Sequence, residues 1–163
     1  MRVVASTEIA APIESVFAIA SDPERMLSFM SGITRWEVVG DRSQGLGARY
    51  RMLLRVGSAE VGGLIEIVEY GPPHDFAWTS VTGVDQRGRF RLRSRGPNRT
   101  RVEFRLAYGV AGAGIGGWIA ERLAARMVGA HLRRTVRGLK RLVEYEQLRE
   151  RAAARRAARA RPA

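Results

Sequence analysis

The chain has no cysteine, which excludes a disulfide framework, a zinc–thiolate site and a cysteine nucleophile. Histidine occurs only as His74 and His131, far apart in the sequence, so no metal site is expected. Lysine is reduced to Lys140. Apolar runs long enough to span a bilayer are missing, because Glu121, Arg122 and Arg126 interrupt the best candidate. No signal-peptide core precedes the first strand-like alternation. The expectation is a soluble, cytoplasmic protein that carries no cofactor.

What the chain does have is arginine. The formal charge is +12, and two readings of it stand. A basic surface attracts nucleic acid, anionic membrane or an acidic partner. Abundant alanine and glycine beside the arginine also match the coding bias of a GC-rich genome, which needs no partner. The length of 163 residues and apolar share of 45% suit one domain with a sizeable core.

The rest of the chain is organised around a long final helix, from Ile115 to about Glu150. Val128, Leu132, Thr135, Val136, Leu139, Leu142 and Val143 recur at helical spacing, with Arg133, Arg137, Lys140, Arg141 and Glu144 on the other face. A glycine-rich joint precedes this helix, and Gly112, Gly114 and Gly117 satisfy G-x-G-x-x-G. A dinucleotide site is excluded, because no second parallel strand follows. The joint is expected to be a hinge over the mouth of whatever the helix covers.

Upstream, Val3 to Ala10 reads as a strand. A short helix follows with Pro12 at its first position, and a second begins at a capping Asp22 with Pro23 inside it. Six strand-like runs come next: Ile33–Val39, Ala48–Val56, Ala59–Tyr70, Phe76–Thr82, Gly88–Arg95 and Thr100–Val110. Their short Gly- and Pro-rich breaks fit antiparallel neighbours. Tyr50, Met52 and Leu54 oppose Arg49, Arg51 and Arg55, while Phe90 and Leu92 oppose Arg89, Arg91 and Arg93. Val102, Phe104 and Leu106 likewise oppose Arg101, Glu103 and Arg105. One face is dry and the other wet. The predicted fold class is α+β, a seven-stranded antiparallel sheet against the long helix. Residues 1–148 form the domain, and 149–163 a frayed Arg/Ala-rich tail that could serve as an electrostatic anchor.

That order resembles the START-like or SRPBCC superfamily, most closely its bacterial polyketide cyclase/dehydrase-related branch. The motifs that carry the likeness run from Ala11-Pro12-Ile13-Glu14-Ser15-Val16-Phe17 and Ser21-Asp22-Pro23-Glu24-Arg25, through Phe76-Ala77-Trp78-Thr79-Ser80 and Arg99-Thr100-Arg101-Val102-Glu103, to Leu139-Lys140-Arg141-Leu142-Val143-Glu144. The resemblance implies a helix-grip fold, in which a curved sheet wraps the last helix around a deep apolar cavity. It also implies a hydrophobic guest: a lipid, a quinone or a polyketide-like molecule.

Strand parity then nominates the lining. Tyr50, Met52, Leu54, Trp78, Phe90, Leu92, Phe104 and Leu106 come from the sheet, and Phe29 from the second short helix. Met127, Val128, His131, Leu132 and Thr135 come from the long helix. Burying about 300 Å² of apolar ligand surface contributes roughly 7 kcal/mol before association costs. The aromatase/cyclase relatives use polar pocket groups where this chain has Ile33, Ile67 and Val68, and many relatives carry a tryptophan near Met26 and Leu27. Binding without chemistry is therefore the first reading. A cyclase, dehydratase or aromatase is the alternative, with His131 or Glu121 as its acid–base group. A basic adaptor for nucleic acid or anionic membrane is the third reading, and both monomer and homodimer fit the sequence. The first reading requires a hollow between helix and sheet.

Overall fold

The computed structural model describes residues 1–109 and 117–159, including their side chains except at Val56 and residues 117–124. The joint at 110–116 and the side chain of Glu121 lie outside the described residues. Seven strands form one sheet: β1 (Arg2–Ile9), β2 (Ile33–Val39), β3 (Arg49–Val56), β4 (Ala59–Gly71), β5 (Asp75–Ser80), β6 (Gln86–Gly96) and β7 (Arg99–Tyr108). Their spatial order is β1-β7-β6-β5-β4-β3-β2. Every neighbouring pair is antiparallel. β2 to β7 form a meander, and β1 closes onto β7. Among the described residues three helices accompany the sheet: α1 (Ile13–Ala20), α2 (Met26–Phe29) and α3 (Gly117–Arg159).

The short helices differ in detail from the sequence reading. Pro12 stands just before α1, and its carbonyl accepts the Val16 N–H at 3.1 Å. α2 begins only at Met26. Asp22 caps the preceding turn instead, its Oδ1 accepting the Glu24 N–H at 2.9 Å.

Strand alternation supplies the core. The register aligns Phe76 with Phe90 and Phe90 with Phe104 across β5, β6 and β7. All three rings are buried. Phe90 and Phe104 stack with centroids 4.3 Å apart, and Phe76 and Phe90 at 5.1 Å. The next row pairs Trp78 with Gly88 and Gly88 with Leu106. A Cβ on Gly88 would lie 2.0 Å from a Trp78 ring carbon, so the indole occupies the space a side chain there would need.

α3 lays Val128, Leu132, Thr135, Val136, Leu139 and Val143 against this surface, all buried. Its contacts fall mainly on β1, with fewer on β7, β3 and the two short helices. Arg133, Arg137 and Arg141 are exposed. Lys140 and Glu144 do not share that open face. Lys140 donates to the Glu8 carbonyl at 2.8 Å, and Glu144 accepts the Ala10 N–H at 2.9 Å, so the two pin α3 to the end of β1. Arg25, just before α2, pairs with Glu146. In place of the expected fraying, α3 continues to Arg159 without interruption, and every residue from Leu148 to Arg159 is exposed. Alanine and arginine sustain a helix that nothing covers. Among the described residues, no helix is long and apolar enough to cross a membrane.

Candidate functional site

A gap lies where α3 crosses β3, β5, β6 and β7. Met52, Leu54, Trp78, Phe104 and Leu106 line it from the sheet, and Val128, His131, Leu132 and Thr135 from the helix. Met30, Ser31, Ile33 and Gln86 complete the wall.

Other nominated residues lie elsewhere. Phe29, Phe90 and Leu92 are buried in the packed core. Tyr50 is buried too, with its hydroxyl donating to the Ser43 carbonyl at 2.7 Å. Burial, then the neighbouring Tyr70 and Asp22, push its pKa up to about 12. Met127 is 39% exposed and turns away from the sheet. Of the positions where relatives are polar, Ile33 lines the gap and Ile67 is core. Val68, beside the β4 bulge, faces out.

The hollow is far smaller than a deep cavity. The gap bounded by these residues has a volume of about 20 Å³, on the order of one water molecule. Met30 and Met52 fill much of the wall with flexible side chains.

Three of its polar residues meet where the α2–β2 turn touches α3. Ser31 Oγ lies 3.1 Å from His131 Nδ1, and the Ser31 N–H donates to Thr135 Oγ1 at 3.0 Å. Gly32 makes this approach feasible. It has φ +84°, and a Cβ there would lie 2.6 Å from the His131 ring. Burial, and secondarily the Arg134 guanidinium, hold His131 below the ordinary histidine value. The imidazole is therefore neutral at pH 7, and Nδ1 can accept the Ser31 hydroxyl proton. No carboxylate hydrogen-bonds to His131 among the described residues, so the pair lacks the orienting acid of an acyl-transfer triad. It is suited to exchanging a proton with a ligand hydroxyl or enol.

The direction of the His131 shift gives a stability prediction. A lowered folded-state pKa means that the unfolded chain binds more protons below about pH 6.5. Stability is expected to be full above that pH and to fall as pH drops towards the folded-state value. Denaturation midpoints of wild type and His131→Asn between pH 5 and 8 check this. The histidine component of the slope should vanish in the variant.

Among the described residues three buried side-chain donors lack a partner, Arg89 Nε and two indoles. The indole N–H groups of Trp36 and Trp78 have no hydrogen-bond partner among the described residues. Each such group costs on the order of 1–3 kcal/mol. Trp78 lines the gap, whereas Trp36 does not. Trp36 stacks on Tyr50 at 5.0 Å and meets Trp78 edge-on at 6.0 Å.

The outer sheet face carries the arginines. Arg49 pairs with Glu66, Arg55 with Glu60, and Arg87 with Glu69. Arg89 reaches both Glu69 and Asp75, and Arg105 reaches Glu103. Arg91, Arg93, Arg95 and Arg101 line a groove on β6 and β7 and have no ion-pair partner among the described residues. Much of this face is thus neutralised by its own sheet, and Glu103 sits in the groove among the arginines.

A twisted antiparallel sheet gripping an amphipathic helix, with an apolar gap between them, defines a helix-grip protein. The chain belongs to the family described as polyketide cyclase / dehydrase and lipid transport, whose sequence profile matches residues 1–144. Among solved structures, a protein of Thermus thermophilus is similar at 24% identity with a TM-score of 0.76, covering 88% of this chain and 97% of that one. The Zhui aromatase/cyclase of Streptomyces sp. R1128 is similar at 18% identity with a TM-score of 0.68, covering 88% and 93%. A START superfamily protein of Mycobacterium smegmatis is similar at 19% identity with a TM-score of 0.67, covering 90% and 98%. At these identities the likeness is one of fold. No curated protein matches the chain. Family membership supports a hydrophobic ligand-binding or cyclase role.

Proposed function

We propose that the protein binds a hydrophobic small molecule of the lipid, quinone or polyketide-like class between the sheet and α3. The observation that carries this reading is the wall of the gap: apolar side chains from both layers, with Ser31 hydrogen-bonded to His131 and Thr135 and with Gln86 also in the wall. A gap of about 20 Å³ is the closed state. Admission of a guest requires α3 to lift from the sheet or Met30 and Met52 to change rotamer, and the ligand selects that open conformation.

Native mass spectrometry of the protein from its own host is the test. The expected result is a copurifying apolar molecule whose removal lowers the melting temperature. An empty protein, unmoved in melting temperature by phospholipid, ubiquinone and a poly-β-keto mimic, would sink the reading.

The Ser31–His131 contact favours a second reading, a cyclase or dehydratase. Turnover of the poly-β-keto mimic, lost in His131→Ala or Glu121→Gln, would replace the first reading with that one. The third reading, an adaptor for nucleic acid or anionic membrane, draws on the groove lined by Arg91, Arg93 and Arg101. Steeply salt-dependent binding to DNA or anionic vesicles is its signature.

A further inference from the structure

We infer that Trp78 selects the ligand: its indole N–H is completed by a neutral acceptor on the guest, so the site favours apolar ketones, quinones and esters over hydrocarbons and over carboxylates. This rests on the proposed binding site and narrows the chemistry it accepts.

The argument starts from the register. Trp78 is fully buried on the inner face of β5, with its indole seated over Gly88. Its ring neighbours are Trp36, Phe76, Phe90 and Phe104. None of these side chains carries an acceptor oxygen, and the N–H has no partner among the described residues. The same residue lines the gap. A donor left in that position makes hydrocarbon a poor guest, because hydrocarbon keeps the N–H unpaired, whereas a carbonyl oxygen satisfies it.

Charge narrows the class further. Among the described residues no arginine or lysine lines the gap, and His131 is held towards its neutral form. A carboxylate placed there would have no countercharge, so free fatty acids at neutral pH are disfavoured. The site thus suits a molecule that is apolar along its length and carries an uncharged carbonyl.

The experiment uses the full chain labelled with ¹⁵N at its indoles, titrated with methyl octyl ketone, decane and decanoate. The ketone should move the Trp78 indole proton downfield, and decane should not. The ratio of ketone to decane affinity should be about tenfold higher in wild type than in Trp78→Phe, the typical weight of one hydrogen bond. Trp36→Phe removes the other orphaned indole N–H, away from the gap, and should keep the wild-type ratio. Equal ratios in wild type and Trp78→Phe, or decanoate bound as tightly as the ketone, would overturn the inference while leaving the binding site standing. If none of the three probes binds, the binding site itself fails. Should Trp78→Phe not fold, the wild-type indole shift decides alone.

Discussion

Gly88→Ala is expected to destabilise the protein by about 3 kcal/mol, near the upper end for an overpacked core. The added methyl would stand 2.0 and 2.1 Å from two carbons of the Trp78 ring. That ring has little room to shift within its rotamer, because it is fully buried and lies within 6.3 Å, centroid to centroid, of Trp36, Phe76, Phe90 and Phe104. Either the indole leaves its rotamer or β5 and β6 part locally. For a chain of this length the loss corresponds to a fall in melting temperature of about 6–12 °C. Gly109→Ala is the control, because a Cβ there meets Asp85 only at ordinary contact distance. It should change stability by less than about 0.5 kcal/mol. Urea denaturation with an unchanged slope would separate a true stability loss from a change in the unfolded state. A Gly88→Ala variant as stable as Gly109→Ala would mean that the Trp78 indole is not seated over Gly88, and would remove the geometric basis for its place in the site.

The sheet was readable because its two faces differ in chemistry at every second residue. Tyr50 and Met52 against Arg49 and Arg51 state a parity that burial reproduces. The stripe on α3 worked the same way, through residues three, four and seven apart. Parity says which face a side chain occupies but not how far along the strand the helix crosses it. Phe90 and Leu92 share the inner face with Phe104 and Leu106 yet pack into the solid core. Met127 failed for a different reason: it precedes Val128 by one residue, which turns it about a hundred degrees off the stripe. The missed residues had weak signals. Gln86 fell in a break between strand runs, and Ser31 lies in the turn after a four-residue helix whose true start the Asp22-Pro23 pair obscured. The size of the gap was not written in any pattern. It depends on how Met30, Met52 and Leu132 fill space together, which is a property of three dimensions.

The closed gap leads to the second large effect. Leu132→Ala is expected to lose about 3 kcal/mol, within the usual range for deleting a buried leucine side chain. Leu132 is only 3% exposed and lines the gap, so the variant should also gain room for a guest. Saturating decane should then return a large part of the loss, because a ligand that binds only the folded state at a hundred times its Kd contributes about 2.7 kcal/mol. Leu139→Ala supplies the comparison. It lies on the same stripe of α3, is fully buried and does not line the gap. A similar loss is expected there, with no recovery from decane. Thermal denaturation of both variants, with and without decane, reads the difference. Recovery in Leu132→Ala alone would show that the space between helix and sheet is limited by side-chain volume and opens to an apolar guest once that volume is removed. Equal recovery in both variants, or none in either, would mean that α3 and the sheet form one continuous core with no privileged place for a ligand.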